Sequence, residues 1–178
     1  MSRLEIDLKP VVHITTDAIG SPGKRVFYIQ GRDDKRIVTL IVEKTQIQAL
    51  ASGVEEILGE IASKFPHLFE ANTEDDVEKD MHIIPPVDPL FRVGELHIGY
   101  HVESDLAVLI ANEITNEEKD SEESITVRFW CTRSQLRAMS RWGLNVAARG
   151  RTTCPFCNEL ISPSEAHICP KKNGKFHS

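Results

Sequence analysis

The last 25 residues of this 178-residue chain concentrate side chains that can bind a metal. Three of its four cysteines lie there, Cys154, Cys157 and Cys169, and His167 stands two positions before Cys169. Two thiols three positions apart on a tight turn, followed about a dozen residues later by a second pair of ligands, have the spacing of a zinc site. The sequence therefore predicts a zinc-binding, zinc-ribbon-like tail over residues 151–178.

The expected zinc ligands close the coordination sphere, because four protein ligands leave no position for water or substrate. A closed site has a structural role. A tail this short has too few apolar residues to fold unless a bound metal ion stabilises it. Structural zinc contributes on the order of 10–16 kcal/mol in finger peptides, which is enough to order it. The predicted ligands are Cys154, Cys157, His167 and Cys169, with His177 as the alternative to His167.

Disulfide and redox readings of the cysteines are less favoured. The N-terminus, MSRLEIDLKP, has charged residues and no apolar signal region, so we expect a cytoplasmic protein in which a Cys154–Cys157 disulfide does not persist. A redox C-x-x-C is expected beside a βαβ core, and no βαβ pattern is visible. Cys131 falls in a strand-like run and is expected to be an ordinary buried thiol.

Charge is distributed unevenly along the chain. Residues 128–178 carry nine Lys and Arg against two Glu, a net +7, whereas the remainder carries −13. Arg133, Arg137 and Arg141 follow one another at i, i+4 spacing on a predicted helix, and Arg149 continues this basic ridge toward the tail. We expect these four arginines to bind a partner, which is either another protein, nucleic acid or the acidic part of the same chain.

Amino-acid composition and the position of an acidic, proline-containing segment divide the chain into a body and the tail. Hydrophobic residues make up 40% and charged residues 27%, which excludes a mainly disordered chain and a disulfide scaffold. No apolar run is long enough to cross a bilayer, so no membrane partner is expected. The predicted body covers residues 1–150, with halves at about 1–70 and 90–150 joined by an acidic, proline-containing linker over 70–90.

Each half is predicted to hold β-strands followed by one helix. In the first half, strand-like runs at 24–31 and 36–42 precede a helix whose first turn has Thr45 and Gln48 as a candidate capping box. Pro66 ends this helix. Its apolar stripe at helical spacing predicts a core-facing side: Ile47, Leu50, Ala51, Val54, Ile57, Leu58, Ile61, Ala62 and Phe65.

The second half has strand-like runs at 91–102, 106–114 and 124–131. A helix then begins near Thr132, with Gln135 completing a capping box. Its predicted buried face consists of the following residues: Leu136, Met139, Gly143, Leu144 and Ala147.

The two strand-to-helix passages align with each other at a shift of 89 residues, which pairs Gln46 with Gln135 and Val38 with Val127. The predicted fold is therefore α+β, with two pseudo-repeated antiparallel β-hairpin and helix units and a small C-terminal zinc-ribbon-like tail. Hairpins followed by single helices disfavour a doubly wound parallel sheet.

Four segments in matching order resemble the bacterial "domain of unknown function 3090" family. They are Gly20–Gly31 (GSPGKRVFYIQG), Val42–Leu50 (VEKTQIQAL), Phe91–Gly99 (FRVGELHIG) and the tail Gly150–Gly174 with CPFC, HICP and NG. The resemblance implies a cytoplasmic protein of this size with a zinc-binding tail, and it carries no established activity. Similar proteins have Gly after the second cysteine, where this chain has Asn158, a residue that also tolerates positive φ.

These features favour an uncharacterised zinc-binding cytoplasmic protein that acts as a non-catalytic interaction or adaptor module. The first alternative is a nucleic-acid-binding protein that uses the basic helix and the tail. The second is a small enzyme with a cleft between the two halves, for which Glu95, His97 or His101 in a concave pocket would be the cue. No nucleotide-binding or hydrolase motif is present.

Overall fold

Seven strands and two long helices form the body of the protein in a computed structural model. Residues 3–21, 23–68, 81–116 and 123–149 are described in full, and beyond them the backbone of four two-residue strands. None of the described helices is long and apolar enough to cross a membrane. The elements of the body are β1 Glu5–Leu8, β2 His13–Ile19, β3 Val26–Arg32, β4 Ile37–Val42, α1 Lys44–Lys64, β5 Pro89–His101, β6 Leu106–Glu113, β7 Thr126–Cys131 and α2 Arg133–Ala148.

The strands form one mixed sheet in the order β1-β7-β6-β5-β4-β3-β2, which confirms the α+β class. Pairing is antiparallel from β2 to β4 and from β5 to β7, but β4 pairs with β5 and β1 pairs with β7 in parallel. The predicted antiparallel pairing therefore holds within β2–β4 and within β5–β7. The two parallel pairings were not predicted. The crossover that contains α1 returns the chain to the starting end of β4, so that β5 runs beside it in the same direction.

The two ends of the sheet meet at the short segment between β1 and β2. The Val11 N–H donates to the Trp130 carbonyl of β7 at 2.8 Å, and the Val12 N–H donates to the Arg32 carbonyl of β3 at 2.7 Å. Adjacent residues therefore bridge the two strands that flank them, and the sheet curls until it closes at this point. These two bonds satisfy backbone N–H groups of the segment that connects the terminal strands β1 and β2.

The interior of the curled sheet is apolar. Alternate residues of β7 face inward, among them the fully buried Phe129, whereas Arg128 lies on the outer face. Phe129 reaches Gly31 of β3, where an added Cβ would lie 2.4 Å from the phenyl ring. Five large side chains from five different strands have no exposed surface: Leu8, Ile29, Leu40, Leu109 and Phe129.

Six residues of the apolar stripe predicted for α1 are buried, Ile57 and Phe65 are half-buried, and Ala62 is exposed. The helix begins earlier than expected. Glu43 is the N-cap, and its N–H donates to the side-chain oxygen of Gln46 at 2.8 Å, so the Thr45 and Gln48 cap was wrong. The reason lies outside the helix: the Gln46 amide also donates to the carbonyl of Val93 in β5 at 3.2 Å. This second bond draws Gln46 into the capping position.

The capping box of α2 is confirmed. The Gln135 N–H donates to Thr132 Oγ1 at 3.0 Å, and the Thr132 N–H donates to Gln135 Oε1 at 2.9 Å. The predicted buried face holds except for Leu144, which is exposed, while Trp142 is buried. Contact with β2 rotates the helix so that Gly143 abuts Thr16.

The described end of the predicted linker packs on the body. The Thr15 hydroxyl donates to the Met81 carbonyl, and the Ile83 N–H donates to Asp17 Oδ2 at 3.0 Å. Gln30 bonds both backbone groups of Ile84. Residues 81–84 thus lie across β2 and β3, and residues 69–80 of the linker are outside the described residues.

Candidate functional site

The predicted zinc ligands belong to a tail of two short hairpins. Cys154, Cys157 and Cys169 lie outside the described residues, and of His167 only the backbone is described. β8 (Thr152–Thr153) pairs antiparallel with β9 (Leu160–Ile161), so the residues that join these strands include both cysteines of the CPFC motif. The tail thereby returns the chain on itself around the first pair of predicted ligands.

The second hairpin contains the other two predicted ligands. β10 (His167–Ile168) pairs antiparallel with β11 (Phe176–His177), and Cys169 is the first residue after β10. The register makes His167 and His177 direct partners, so both histidines belong to the same hairpin. The choice between them as zinc ligand stays a prediction. Within the fully described residues, no group of three or more His, Cys, Asp or Glu side chains is placed to hold a metal ion.

The basic ridge on α2 faces acidic residues of the chain itself. Arg133 Nε lies 2.8 Å from Asp105 Oδ1 in the turn that joins β5 and β6. Arg137 and Arg141 both reach Glu55 on α1, with nitrogen–oxygen distances of 3.2 and 3.3 Å. These ion pairs match the intramolecular alternative for the basic stretch.

The fourth arginine of the ridge packs on an aromatic ring. The Arg149 guanidinium lies 4.9 Å from the centroid of Trp142, and its Nε donates to the Asn145 side chain at 3.0 Å. Trp142 also meets the edge of His82 at 5.5 Å between centroids. This tryptophan is buried among residues of its own chain.

The carboxyl groups of the body whose pKa is lowered all have basic or hydrogen-bonding partners that account for the lower pKa. A hydrogen bond from Arg137 lowers the pKa of Glu55, and a hydrogen bond from Arg133 lowers the pKa of Asp105. On the outer face of β7, a hydrogen bond from Arg128 lowers the pKa of Asp7. These groups remain ionised at neutral pH and serve as partners for arginine.

Cys131 has the properties of a structural thiol, as predicted. It lies in β7 with no exposed surface, and burial raises its thiol pKa to about 12. Because the thiolate is the nucleophile and the metal ligand, a thiol with this pKa is inert at neutral pH.

A groove of about 520 Å³ opens between α1 of the first half and β5 of the second. Leu50, Gly53 and Ile57 of α1 line it on one side, and Leu96, His97 and Ile98 of β5 line it on the other. Glu56 and Glu60 stand at its rim on α1. His97, one of the three residues whose position in a concave pocket would favour an enzyme, lines this groove.

Glu95 and His101, the other two residues named with His97, lie elsewhere. Glu95 does not line the groove, but its Oε2 lies 3.3 Å from His97 Nε2. His101 lies at the far end of β5, where its Nδ1 contacts the Ser104 hydroxyl at 2.8 Å. The sequence analysis raised a cleft between the two halves as one alternative without giving its lining, and Gly53, an isolated glycine inside a strongly periodic helix, marks the place where this groove opens.

The fold and these sites define an α+β protein with a closed mixed sheet, a helix-lined groove and a cysteine-rich tail. A family model described as "Protein of unknown function (DUF3090)" matches residues 7–169. The chain therefore belongs to the DUF3090 family, as its sequence motifs predicted. No curated protein and no solved structure matches the chain.

Proposed function

We propose that the protein is a non-catalytic interaction module whose C-terminal tail is ordered by zinc. The observation that supports this proposal is the pairing of β8 with β9 and of β10 with β11, because in sequence the CPFC motif lies between β8 and β9 and Cys169 follows β10. Zinc ribbons use paired ligands of this kind, and four thiolate and imidazole ligands give a closed, structural site. The ligands are Cys154, Cys157, Cys169 and His167, with His177 as the alternative fourth ligand.

The chemistry of the body supports a binding role. Several carboxyl groups with a lowered pKa form ion pairs that join one element to another, such as Asp105 with Arg133 and Glu55 with Arg137. Its described cysteine is buried and protonated.

Zinc binding is tested by native mass spectrometry of the purified full chain. We expect one zinc per chain in the wild-type protein, and loss of that zinc in the Cys154→Ser variant. Cys131→Ala is the matched control and retains the metal, because Cys131 lies in the sheet. His167→Ala and His177→Ala separate the two candidates for the fourth ligand. A metal-free wild-type chain with a protease-resistant tail would refute the proposal.

We also propose that the body consists of two related units, β1 to α1 and β5 to α2. The capping glutamines support this idea. The Gln46 amide donates to the carbonyls of Val93 and Gly94, and the Gln135 amide donates to those of Val11 and Val12. Each glutamine thus binds two successive carbonyls, within β5 in one unit and just before β2 in the other.

The strand registers support the same correspondence. Val38 of β4 pairs with Gly31, and Val127 of β7, which lies 89 positions later, pairs with Ala111. Gly31 pairs in turn with Ile14 of β2, and Ala111 pairs with Leu96 of β5. The two parallel pairings, β4 with β5 and β7 with β1, then occupy equivalent places in the closed sheet.

A small enzyme is the second candidate, because His97 lines the groove and has a carboxylate 3.3 Å from its Nε2. A carboxylate that orients a histidine is a recurrent arrangement for a general base. The test is hydrolysis of p-nitrophenyl esters and phosphates by the wild-type protein and the His97→Gln variant. Turnover that disappears in the variant supports the enzyme, and equal background rates argue against it.

A further inference from the structure

We infer that the groove between α1 and β5 binds an extended peptide segment of a partner protein, with an aromatic anchor residue flanked by basic residues. This inference rests on the proposed function as an interaction module, and it assigns that function a place and a partner chemistry. Four observations support it. The equivalent place in the other unit is filled by Trp142, and a segment of the chain itself docks there. The groove beside α1 is acidic at its rim, and beyond Arg92 one flank of β5 has no strand partner among the described strands.

The equivalent place lies between α2 and β2. The shift of 89 that relates Gln46 to Gln135 relates Gly53 to Trp142. Trp142 is 9% exposed and packs against His82 of the segment that crosses β2, whereas Gly53 has no side chain. A groove therefore remains beside α1 in the place where an indole fills the space beside α2. An aromatic side chain from a partner has the shape to fill it.

A segment of the chain itself docks at the filled site. The registers that relate the two units place Thr15 of β2 opposite Gln30 and His97 of β5 opposite Ile110, at equivalent positions. Thr15 bonds the Met81 carbonyl, and His82 of the same segment packs its ring edge against Trp142. This unit of the fold thus binds a mostly apolar segment, residues 81–84, with side-chain to backbone hydrogen bonds.

The groove beside α1 has the surfaces for such a segment. Its floor is apolar, with Leu50 and Ile57 facing Leu96 and Ile98, and apolar floors supply most of the affinity in peptide grooves. Glu56 and Glu60 are exposed at the rim one helical turn apart, and neither forms an ion pair with another described residue. Two carboxylates at i and i+4 favour a partner with Lys or Arg beside its anchor.

β5 adds a backbone edge. Its register with β4 ends at Arg92, and beyond that residue β5 pairs with β6 alone among the described strands. The flank that faces α1 therefore carries backbone groups without a strand partner, a feature that extended peptides use for hydrogen bonding.

The test is fluorescence anisotropy of a fluorescein-labelled peptide, KMWIIK, titrated with the full-length protein. Two matched peptides separate the contributions: KMGIIK lacks the aromatic anchor, and EMWIIE reverses the charge. We expect saturable binding of KMWIIK and at least about tenfold weaker binding of both matched peptides, because one loses aromatic burial and the other meets like charge.

Protein variants locate the binding site. Gly53→Trp introduces the indole that the other unit already has, and we expect it to abolish KMWIIK binding. Gly59→Trp is the control on the same helix, because an added Cβ at Gly59 meets no atom within 4 Å, and it leaves binding unchanged. If Gly53→Trp does not fold, the double variant Glu56→Lys, Glu60→Lys gives the same information. It weakens KMWIIK at least about tenfold and strengthens EMWIIE.

Equal binding of KMWIIK and KMGIIK, binding that persists in a folded Gly53→Trp variant, or no saturable binding would overturn the inference. Zinc content is measured separately on the cysteine variants. A chain that binds zinc but not KMWIIK keeps the proposed zinc-ordered tail and loses only this docking site. A chain that binds KMWIIK without zinc loses the tail proposal and keeps the groove.

Discussion

Asp7 joins the N-terminal strand to the outer face of β7. Its carboxylate accepts hydrogen bonds from Arg128 Nε and from Trp130 Nε1, both at 2.9 Å. Glu5 adds a second carboxylate, 3.0 Å from Arg128 Nη2. The parallel pairing of β1 with β7 brings these side chains side by side, so a short strand is fixed by both backbone and side-chain bonds.

Replacement of Asp7 by asparagine should therefore destabilise the fold in a pH-dependent way. The hydrogen bond from Arg128 lowers the pKa of Asp7, so this carboxylate stabilises the folded state above its ordinary pKa of about 3.9 and loses that effect as pH falls through its lowered value. We expect Asp7→Asn to reduce the free energy of unfolding at pH 7 by about 1 kcal/mol, since solvent screens a partly exposed pair. Urea unfolding at several pH values measures this.

The difference between wild type and Asp7→Asn should stay constant from about pH 5 to 8 and shrink below about pH 4. Asp34→Asn serves as the control, because Asp34 is exposed, and it should change stability by less than about 0.5 kcal/mol. A difference that persists undiminished at pH 2 would contradict the ion-pair explanation.

Thiol reactivity separates the buried cysteine from the tail cysteines. Burial raises the thiol pKa of Cys131 to about 12, so it should not react with Ellman's reagent at pH 8 while the protein is folded. With zinc bound, the three tail thiols should also react slowly. After chelation we expect three fast thiols, and the fourth should appear only in denaturant. Four fast thiols in the folded chain would show that Cys131 is accessible.

At the scale of elements, a close approach of two strands depends on a glycine. Gly31 of β3 lies under the ring of Phe129 of β7, and these residues flank the segment that closes the sheet. The ring occupies the space that any larger residue at position 31 would need. A bulkier residue there would force apart the strands where the two ends of the sheet meet.

Gly31→Ala should destabilise the protein by about 1–3 kcal/mol, the usual cost of overpacking a tight core. Gly59→Ala is the opposite case, because its added Cβ has open space on an exposed face of α1. It should stabilise the protein by up to about 1 kcal/mol through better helix propensity. Melting temperatures test both expectations, a decrease for Gly31→Ala and an increase for Gly59→Ala. An unchanged melting temperature of Gly31→Ala would mean that Phe129 moves aside freely.

At the scale of the whole molecule, the N-terminal strands are part of the closed sheet, and the tail follows α2 as two separate hairpin sheets. Leu8 of β1 is fully buried, and Val11 and Val12 bridge β7 and β3. The stability of the body should therefore depend on the first strand far more than on the tail.

Two truncations test this dependence. A chain that ends at Arg149 should melt cooperatively within about 3 °C of the full-length protein. A chain that lacks residues 1–8 should melt at least about 10 °C lower, because it loses β1 and the side chain of Leu8. The result that would contradict this account is a body that unfolds when the tail is removed.

Local features of the fold were predicted well. The apolar stripe of α1, the Thr132 and Gln135 capping box, the runs that became β3 to β7 and the buried Cys131 all followed from residues a few positions apart. The errors have tertiary causes. Gln46 displaced the predicted cap because it also bonds β5, and contact of Gly143 with β2 turned Leu144 outward.

The basic ridge illustrates the limit of sequence reasoning about the site. Spacing alone placed Arg133, Arg137 and Arg141 on one helix, but it did not reveal that Asp105 and Glu55 face them. A cleft between the two halves was raised as an alternative, but its place and lining were not predicted, because the groove needs α1 and β5 to pack with Gly53 between them. Arginines that were predicted to meet a partner are thus largely engaged within the chain.

The sequence by itself determined the two helices, the cap of α2, most strands, the family and the ligand spacing of the tail, because these depend on residues close together along the chain. Only the tertiary structure decided the closure of the sheet, the partners of the arginines and the groove. Each of these depends on residues that are far apart in sequence, as Asp7 and Arg128 are at a separation of 121 positions. Such contacts arise when distant strands bury a shared core, and no local pattern specifies which of them meet.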